Sequence, residues 1–210
     1  MKYIDIHTHK VKAADDEIIV SSLSVDEWEE SLQPSDTRFF SLGVHPWDVE
    51  KVGEKELLLL EKFAADDAVR LIGECGMDKN CDVPFETQEA IFRRQAEISE
   101  RLQKPLIIHC VGFFNELFQL RKELKTEQEW IVHGFRGKPQ LAQQALRAGL
   151  SLSFGERFNP ESVLVCPLEK LYVETDESEL PIAEIYDRLA RIKECSPADL
   201  TRAAAKLLEC

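Results

Sequence analysis

Eight short apolar runs recur along the chain, separated by stretches of helical periodicity: YIDIHTH, EIIVSS, FFSLGVH, VRLIGEC, PLIIHCV, EWIVHGF, LSLSFG and KLYVETD. Runs this short, rich in Val, Ile and Leu on both faces, predict strands buried on both sides, as in parallel sheets covered by helices. Strand and helix alternating eight times allow such a sheet to close into an α/β (β/α)8 TIM barrel. The clearest helical segments are 85–103 (FETQEAIFRRQAEISERLQ), 112–124 and 138–148. The second and seventh units are shortened. Only SVDEWEESLQ can form a helix after the second strand, and ERFNPESVLVCP after the seventh leaves room for barely one turn.

The 210 residues fit a slightly shortened barrel in one domain, residues 1–210, near the lower end of a range of roughly 200 to more than 400 residues. Hydrophobic content of 44% and charged content of 31% describe a soluble globular chain. No apolar stretch approaches the ~20 residues of a membrane-spanning helix. Met1-Lys2 leads directly into the first strand without a long apolar region, so no signal peptide and a cytoplasmic location are expected. Six dispersed cysteines without a CxxC pair predict reduced thiols. A net charge of −13 argues against a broad electrostatic footprint for nucleic acid. A phosphate-bearing substrate must then be held locally, by metal cations or a few placed basic groups.

Six imidazole or carboxylate side chains sit at, or within a residue of, the ends of these runs: His7, His9, Glu74, His109, His133 and Asp176. Alternate residues of a strand face the same way, so His7 and His9 project together, as do Glu174 and Asp176. A parallel barrel gathers the carboxyl ends of its strands on one face, where such groups can share ions, and unpaired buried charges are costly unless a cation holds them. Six ligands exceed what one catalytic ion uses, so two divalent metal ions are expected. One partition gives His7, His9 and Asp176 to one ion and His109 and His133 to the other, with Glu74 bridging. Mixed imidazole and carboxylate ligation suits zinc, manganese, iron or cobalt, and leaves magnesium open.

The motifs IDIHTH, GVHP, LIGECGMD, the spacing Gln88, Phe92, Gln95, then PLIIHC, VHGFRG and VETD resemble, in this order, the TatD family of metal-dependent deoxyribonucleases among the amidohydrolase-like barrels. The resemblance runs from the first strand to the eighth. It implies a (β/α)8 barrel, a site of two or more metals on the ligands named, and hydrolysis of phosphodiester bonds in DNA, often from the 3′ end with magnesium. The chain departs from the family at Val111, where an Arg is usual, at Lys10-Val11, and at Glu177-Ser178, where a small residue and Pro usually follow the ETD. DNA or a smaller phosphoester is therefore the expected substrate.

In the mechanism so predicted, Asp176 is the catalytic base that takes the proton of an attacking water, and Glu74 fixes the ions. His45, Arg136 and Lys138 are candidate substrate contacts. Glu174 either orients a ligand imidazole or is a hydrogen-bonded residue of the interior. Cys75 and Cys110 follow ligands, point the other way and act as inert fillers. Trp28 and Trp47 stack on a base or simply pack. An amide or ester hydrolase on the same ligands, and a noncatalytic metal-binding barrel, stand as the alternatives to a phosphoesterase.

Overall fold

The computed structural model describes residues 2–28 and 35–209. Eight strands lie in one sheet in chain order: β1 (Tyr3–Thr8), β2 (Glu17–Ser24), β3 (Arg38–Gly43), β4 (Val69–Asp78), β5 (Leu106–Val111), β6 (Trp130–Val132), β7 (Ser151–Phe154) and β8 (Leu171–Val173). The helices are α1 (Glu54–Ala64), α2 (Phe85–Leu102), α3 (Phe114–Leu124), α4 (Pro139–Arg147), α5 (Pro160–Val165), α6 (Ile182–Lys193) and α7 (Pro197–Leu208). Each of the eight apolar runs is a strand, and the three clearest helical segments are α2, α3 and α4. Among the described residues, no helix is long and apolar enough to cross a membrane.

Among the described residues, strict alternation breaks after the first strand. The connection between β1 and β2, residues 9–16, contains no helix. Eight residues reach about 26–29 Å when extended, which returns the chain along a six-residue strand but leaves nothing for helical turns. In the second unit, Val25–Glu27 forms a turn. The rest of the expected SVDEWEESLQ helix, from residue 29 on, lies outside the described residues. The seventh unit keeps six helical residues, whose first turn is capped by the Asn159 side chain accepting from the Glu161 N–H.

Two compact units emerge, one within Met1–Ser21, Asp36–Arg38 and Val132–Cys210, the other within Ser22–Ser35 and Phe39–Ile131. In the first, β1 runs parallel to β2, with Ile4 opposite Ile18, and β7 parallel to β8, with Phe154 opposite Val173. β1 also meets the chain beyond β8 through a bridge between Thr8 and Asp176. The Asp176 N–H donates to His7 O at 2.9 Å, and the His9 N–H donates to Asp176 O at 3.3 Å. α6 and α7 pack on β1 and β8. They bury Ile182, Ile185, Leu189, Leu200 and Leu208, each worth about 1.5–3 kcal/mol when fully removed from water. The Tyr186 hydroxyl satisfies the buried Ile4 carbonyl at 2.8 Å.

The second unit is organised by α2 against β4. Gln88, Phe92 and Gln95 share one face of this helix and are buried. Phe92 packs edge-on to Trp130, ring centroids 5.2 Å apart. The Gln88 amide oxygen accepts from the Asp78 N–H at 2.7 Å and its nitrogen donates to Val83 O at 2.7 Å. Gln95 makes the same reciprocal pair with the N–H and carbonyl of Val44, at 2.8 and 3.0 Å. Both buried amides thus satisfy backbone groups where β3 and β4 end.

Candidate metal centre

In the first unit, β1 carries His7, which is fully buried, and His9 follows the strand. His133 comes one residue after β6 and Asp176 three residues after β8. The backbone bonds between Asp176 and the His7–His9 segment seat Asp176 in the left-handed region, φ 54°. Its Oδ1 then lies 3.8 Å from His7 Nε2 and 3.7 Å from His9 Nε2. The rings of His7 and His133 are 4.3 Å apart, and ligand atoms of His7, His133 and Asp176 fall within 4.8 Å of one another. His133 therefore groups with His7 and Asp176, not with His109 as the sequence partition had it.

Glu174 lies behind this cluster, fully buried, with Oε1 accepting from the Gly134 N–H and 3.5 Å from His133 Nδ1. Burial pushes its pKa up, but His133, His7 and Ser153 together outweigh this and hold the carboxyl below its ordinary value. Glu174 is thus a hydrogen-bonded residue of the interior that also faces an imidazole, and both of its expected roles keep a partner here. A second buried carboxyl, Asp5, receives the Thr175 N–H at 2.9 Å and the Thr175 hydroxyl at 2.6 Å. Desolvation nevertheless raises its pKa to about 7. Asp5 and Thr175 thereby tie β1 to the segment between Glu174 and Asp176.

Beside Asp176 opens a cavity of about 320 Å³, lined among others by Gly134, Arg136, Arg157, Asp176 and Ser178. Arg136 is on its wall. Lys138 is exposed as the residue preceding α4 and does not line it.

In the second unit, Glu74 lies inside β4 rather than at its end, because the strand continues four residues further to Asp78. Gly76 adopts φ +143°, and a Cβ there would overlap the His109 carbonyl, so glycine permits β4 to approach β5 closely. The register between the two strands shifts between Ile72 and Cys75. Glu74 Oε1 is thereby flanked by two imidazoles, His109 Nδ1 at 3.0 Å and His45 Nε2 at 3.2 Å. His109 also lies inside its strand, two residues before the end of β5. His45, two residues past β3, stands against Glu74, and His45, Glu74 and His109 form a second group of ligand spacing.

The other nitrogen of His109 lies 2.9 Å from Asp78 Oδ2. Asp78, in the LIGECGMD motif, had no role assigned from the sequence. Burial pushes its carboxyl up, but the Asn80 N–H, His109 and the Trp47 indole outweigh that and hold it below its ordinary value. Two carboxylates on the two nitrogens of one ring require two donors, or one donor and a cation in place of the other proton. The donor set of each cluster, imidazoles converging with a carboxylate, fits a divalent ion of the first transition row.

A family model described as TatD related DNase matches residues 5–210. The chain belongs to the TatD-related DNase family. A metal-dependent hydrolase of Bacillus subtilis, YabD, is 28% identical over 156 residues, 70% of this chain and 61% of its own length, so the chain spans less than two thirds of that relative. A 3'-5' ssDNA/RNA exonuclease TatD of Edwardsiella piscicida is 30% identical over 145 residues, 64% of this chain and 55% of that protein. The crystal structure of the TatD homologue YjjV from Escherichia coli superposes with a TM-score of 0.83 at 20% identity, covering 99% of this chain and 98% of that one. The fold is accordingly the (β/α)8 barrel.

Sequence reasoning missed two features of the site: Asp78, and the pairing of His45 with Glu74. Asp78 was legible only as the last letter of a strand that the glycines had cut short. His45 was legible as the end of an apolar run but carried no sign of what it would face.

Proposed function

We propose that this TatD-family protein, acting as a single domain, is a phosphodiesterase that uses one divalent ion in each cluster, magnesium, manganese or zinc, on a DNA end or a smaller phosphoester. The observation that carries the reading is the convergence of His7, His133 and Asp176 within 4.8 Å in a chain matched to a DNase family along residues 5–210. The relative named as a single-strand exonuclease supports phosphodiesters over amides. The free cysteines Cys75, Cys81, Cys110, Cys166 and Cys195 support a cytoplasmic setting.

In this reading His7, His9, His133 and Asp176 hold one ion, and His45, Glu74 and His109 the other. Bound ions lower the pKa of water towards roughly 7 and take up charge that develops on a phosphoryl oxygen. The chain's own groups do the rest. Asp176, partly exposed at the cavity, accepts the proton of the attacking water at its carboxylate. Glu174 fixes the ring of His133, and Asp78 that of His109. Arg136, on the cavity wall, orients a nonbridging oxygen.

The test strips the metal, restores magnesium, manganese, zinc or cobalt separately, and follows a short single-stranded DNA beside a chromogenic amide. Stepwise shortening of the DNA that is lost in Glu74→Gln is the expected result. Cleavage of the amide alone, or of neither substrate despite bound ions, overturns it.

A further inference from the structure

Of the three tryptophans of the chain, two are packed. Trp130 is fully buried against Phe92, and Trp28 meets Phe40 and Phe63 at ring-centroid distances of 5.6 and 6.4 Å. Trp47 is 61% exposed. Among the described residues no other aromatic ring is counted with the exposed large apolar side chains, which are otherwise Val11, Leu58 and Leu164.

The exposed indole is nevertheless held in place. Its Nε1–H donates to Asp78 Oδ2 at 3.0 Å, and Asp78 is 3% exposed. Its backbone N–H donates to His45 Nδ1 at 3.3 Å. The ring stands nearly perpendicular to that of His45, centroids 4.8 Å apart, and lies 6.3 Å from that of His109. One carboxylate therefore fixes both the indole and His109, a residue of the second ligand cluster. An indole whose polar atom is satisfied gains by burial, since its carbon surface is what water disfavours. Here the polar edge is tied down and most of the ring is left uncovered beside that cluster.

From this arrangement we infer that Trp47 is a stacking platform for the nucleobase next to the scissile phosphate, and so a specificity-determining residue. The inference rests on the phosphodiesterase reading and narrows its substrate class to nucleotides. A flat, fixed aromatic face accepts any base, because every base offers a π surface. It also suits an acidic chain, since stacking adds affinity without relying on net positive charge, and this protein carries a net charge of −13. The hydrogen bond from the indole to Asp78 sets the position of the ring relative to His109, so a stacked base brings its own phosphate to the same side chains.

The experiment separates binding from hydrolysis. Calorimetry with the magnesium-loaded protein compares adenosine 5′-monophosphate with ribose 5-phosphate for the wild type, Trp47→Ala and Trp47→Phe. Steady-state kinetics then compare a dinucleotide with its abasic counterpart. The wild type is expected to bind the nucleotide about tenfold more tightly than the sugar phosphate. Trp47→Ala should abolish that difference and raise KM for the dinucleotide by a similar factor, a larger loss than it causes on the abasic counterpart. Trp47→Phe, which lacks the indole N–H but keeps a ring, should restore most of the preference. Equal wild-type binding of the two ligands overturns the inference, as does an equal loss on both substrates in Trp47→Ala. Failure to cleave any phosphodiester while the Trp47-dependent preference persists instead overturns the hydrolytic reading and leaves the platform standing.

Discussion

In the cluster of His7, His133 and Asp176, His7 and the supporting Glu174 are fully buried and Asp176 is the most exposed of the three members, whereas His45, Glu74 and His109 all keep some exposure and have an open indole beside them. The donor types are the same, so the contrast comes from the surrounding fold. His7 lies within β1 behind the chain that follows β8. His45 sits on a loop whose backbone is satisfied by a glutamine of α2. Burial strengthens electrostatic interactions, so His7 and Glu174 suit holding an ion, while the part-exposed Asp176 at its cavity and the His45, Glu74 and His109 group suit meeting substrate.

The strongest challenge to this contrast is Asp176→Asn. If Asp176 is the base, turnover falls by about 10²–10⁴-fold while bound metal, measured by elemental analysis, changes far less. Equal losses of metal and turnover make Asp176 a ligand only.

Two buried aspartates sharpen the contrast through pH. Asp5 in the first unit has a pKa raised to about 7, and Asp78 in the second has one held below its ordinary value. Between about 4 and about 7 the folded chain binds more protons at Asp5 than the unfolded chain does, so Asp5 costs stability as the pH rises through this window. Asp78 has the opposite sign: its contribution is present above its unfolded pKa and is lost as the pH falls through the depressed folded value. Urea unfolding of the metal-free protein should therefore show Asp5→Asn flattening the decline above pH 4 by a few kcal/mol, and Asp78→Asn affecting only the acid limb. A wild type equally stable at pH 4.5 and 7.5 contradicts the Asp5 assignment.

Outer partners give the next effect. Glu174→Gln removes the charge facing His133 and should weaken metal binding at that cluster by about 10–100-fold. Asp78→Asn should weaken the other cluster less, because His109 is more exposed than His133, although the single Asn oxygen replaces only one of the two carboxylate oxygens that accept from the Asn80 N–H and the Trp47 indole. The reverse order in a chelator competition refutes the ranking by burial. The smallest effect is expected from thiol chemistry. Burial raises the pKa of Cys110 to about 12 and drives that of Cys75 higher still, so among the described cysteines iodoacetamide should label the part-exposed Cys81 and Cys195 before these and leave activity intact.

The strands were legible because burial on both faces leaves its mark as unbroken apolar runs, even in β6 and β8, which have only three residues each. The ligands were legible as charged or imidazole interruptions of such runs. Their grouping was not. Which imidazole stands beside Glu74 depends on how far β4 slides along β5, and that is set by backbone conformations at Gly73 and Gly76 that a one-dimensional pattern does not encode. The missing helix after β1 was a matter of length that periodicity alone did not weigh.

The two glutamines of α2 carry a consequence for how such a site can change over time. Gln88 and Gln95 act as stand-in peptide groups, so the loop after β3 and the end of β4 take their hydrogen bonds from a helix as they would from a neighbouring strand. Their spacing of seven keeps both on one helical face. Inserting a single residue between them would swing one amide by about 100° and free one of the two segments. The positions of His45 and Asp78 are thus inherited through the phase of α2, and length changes are tolerable in the surrounding connections but not within that stretch of helix.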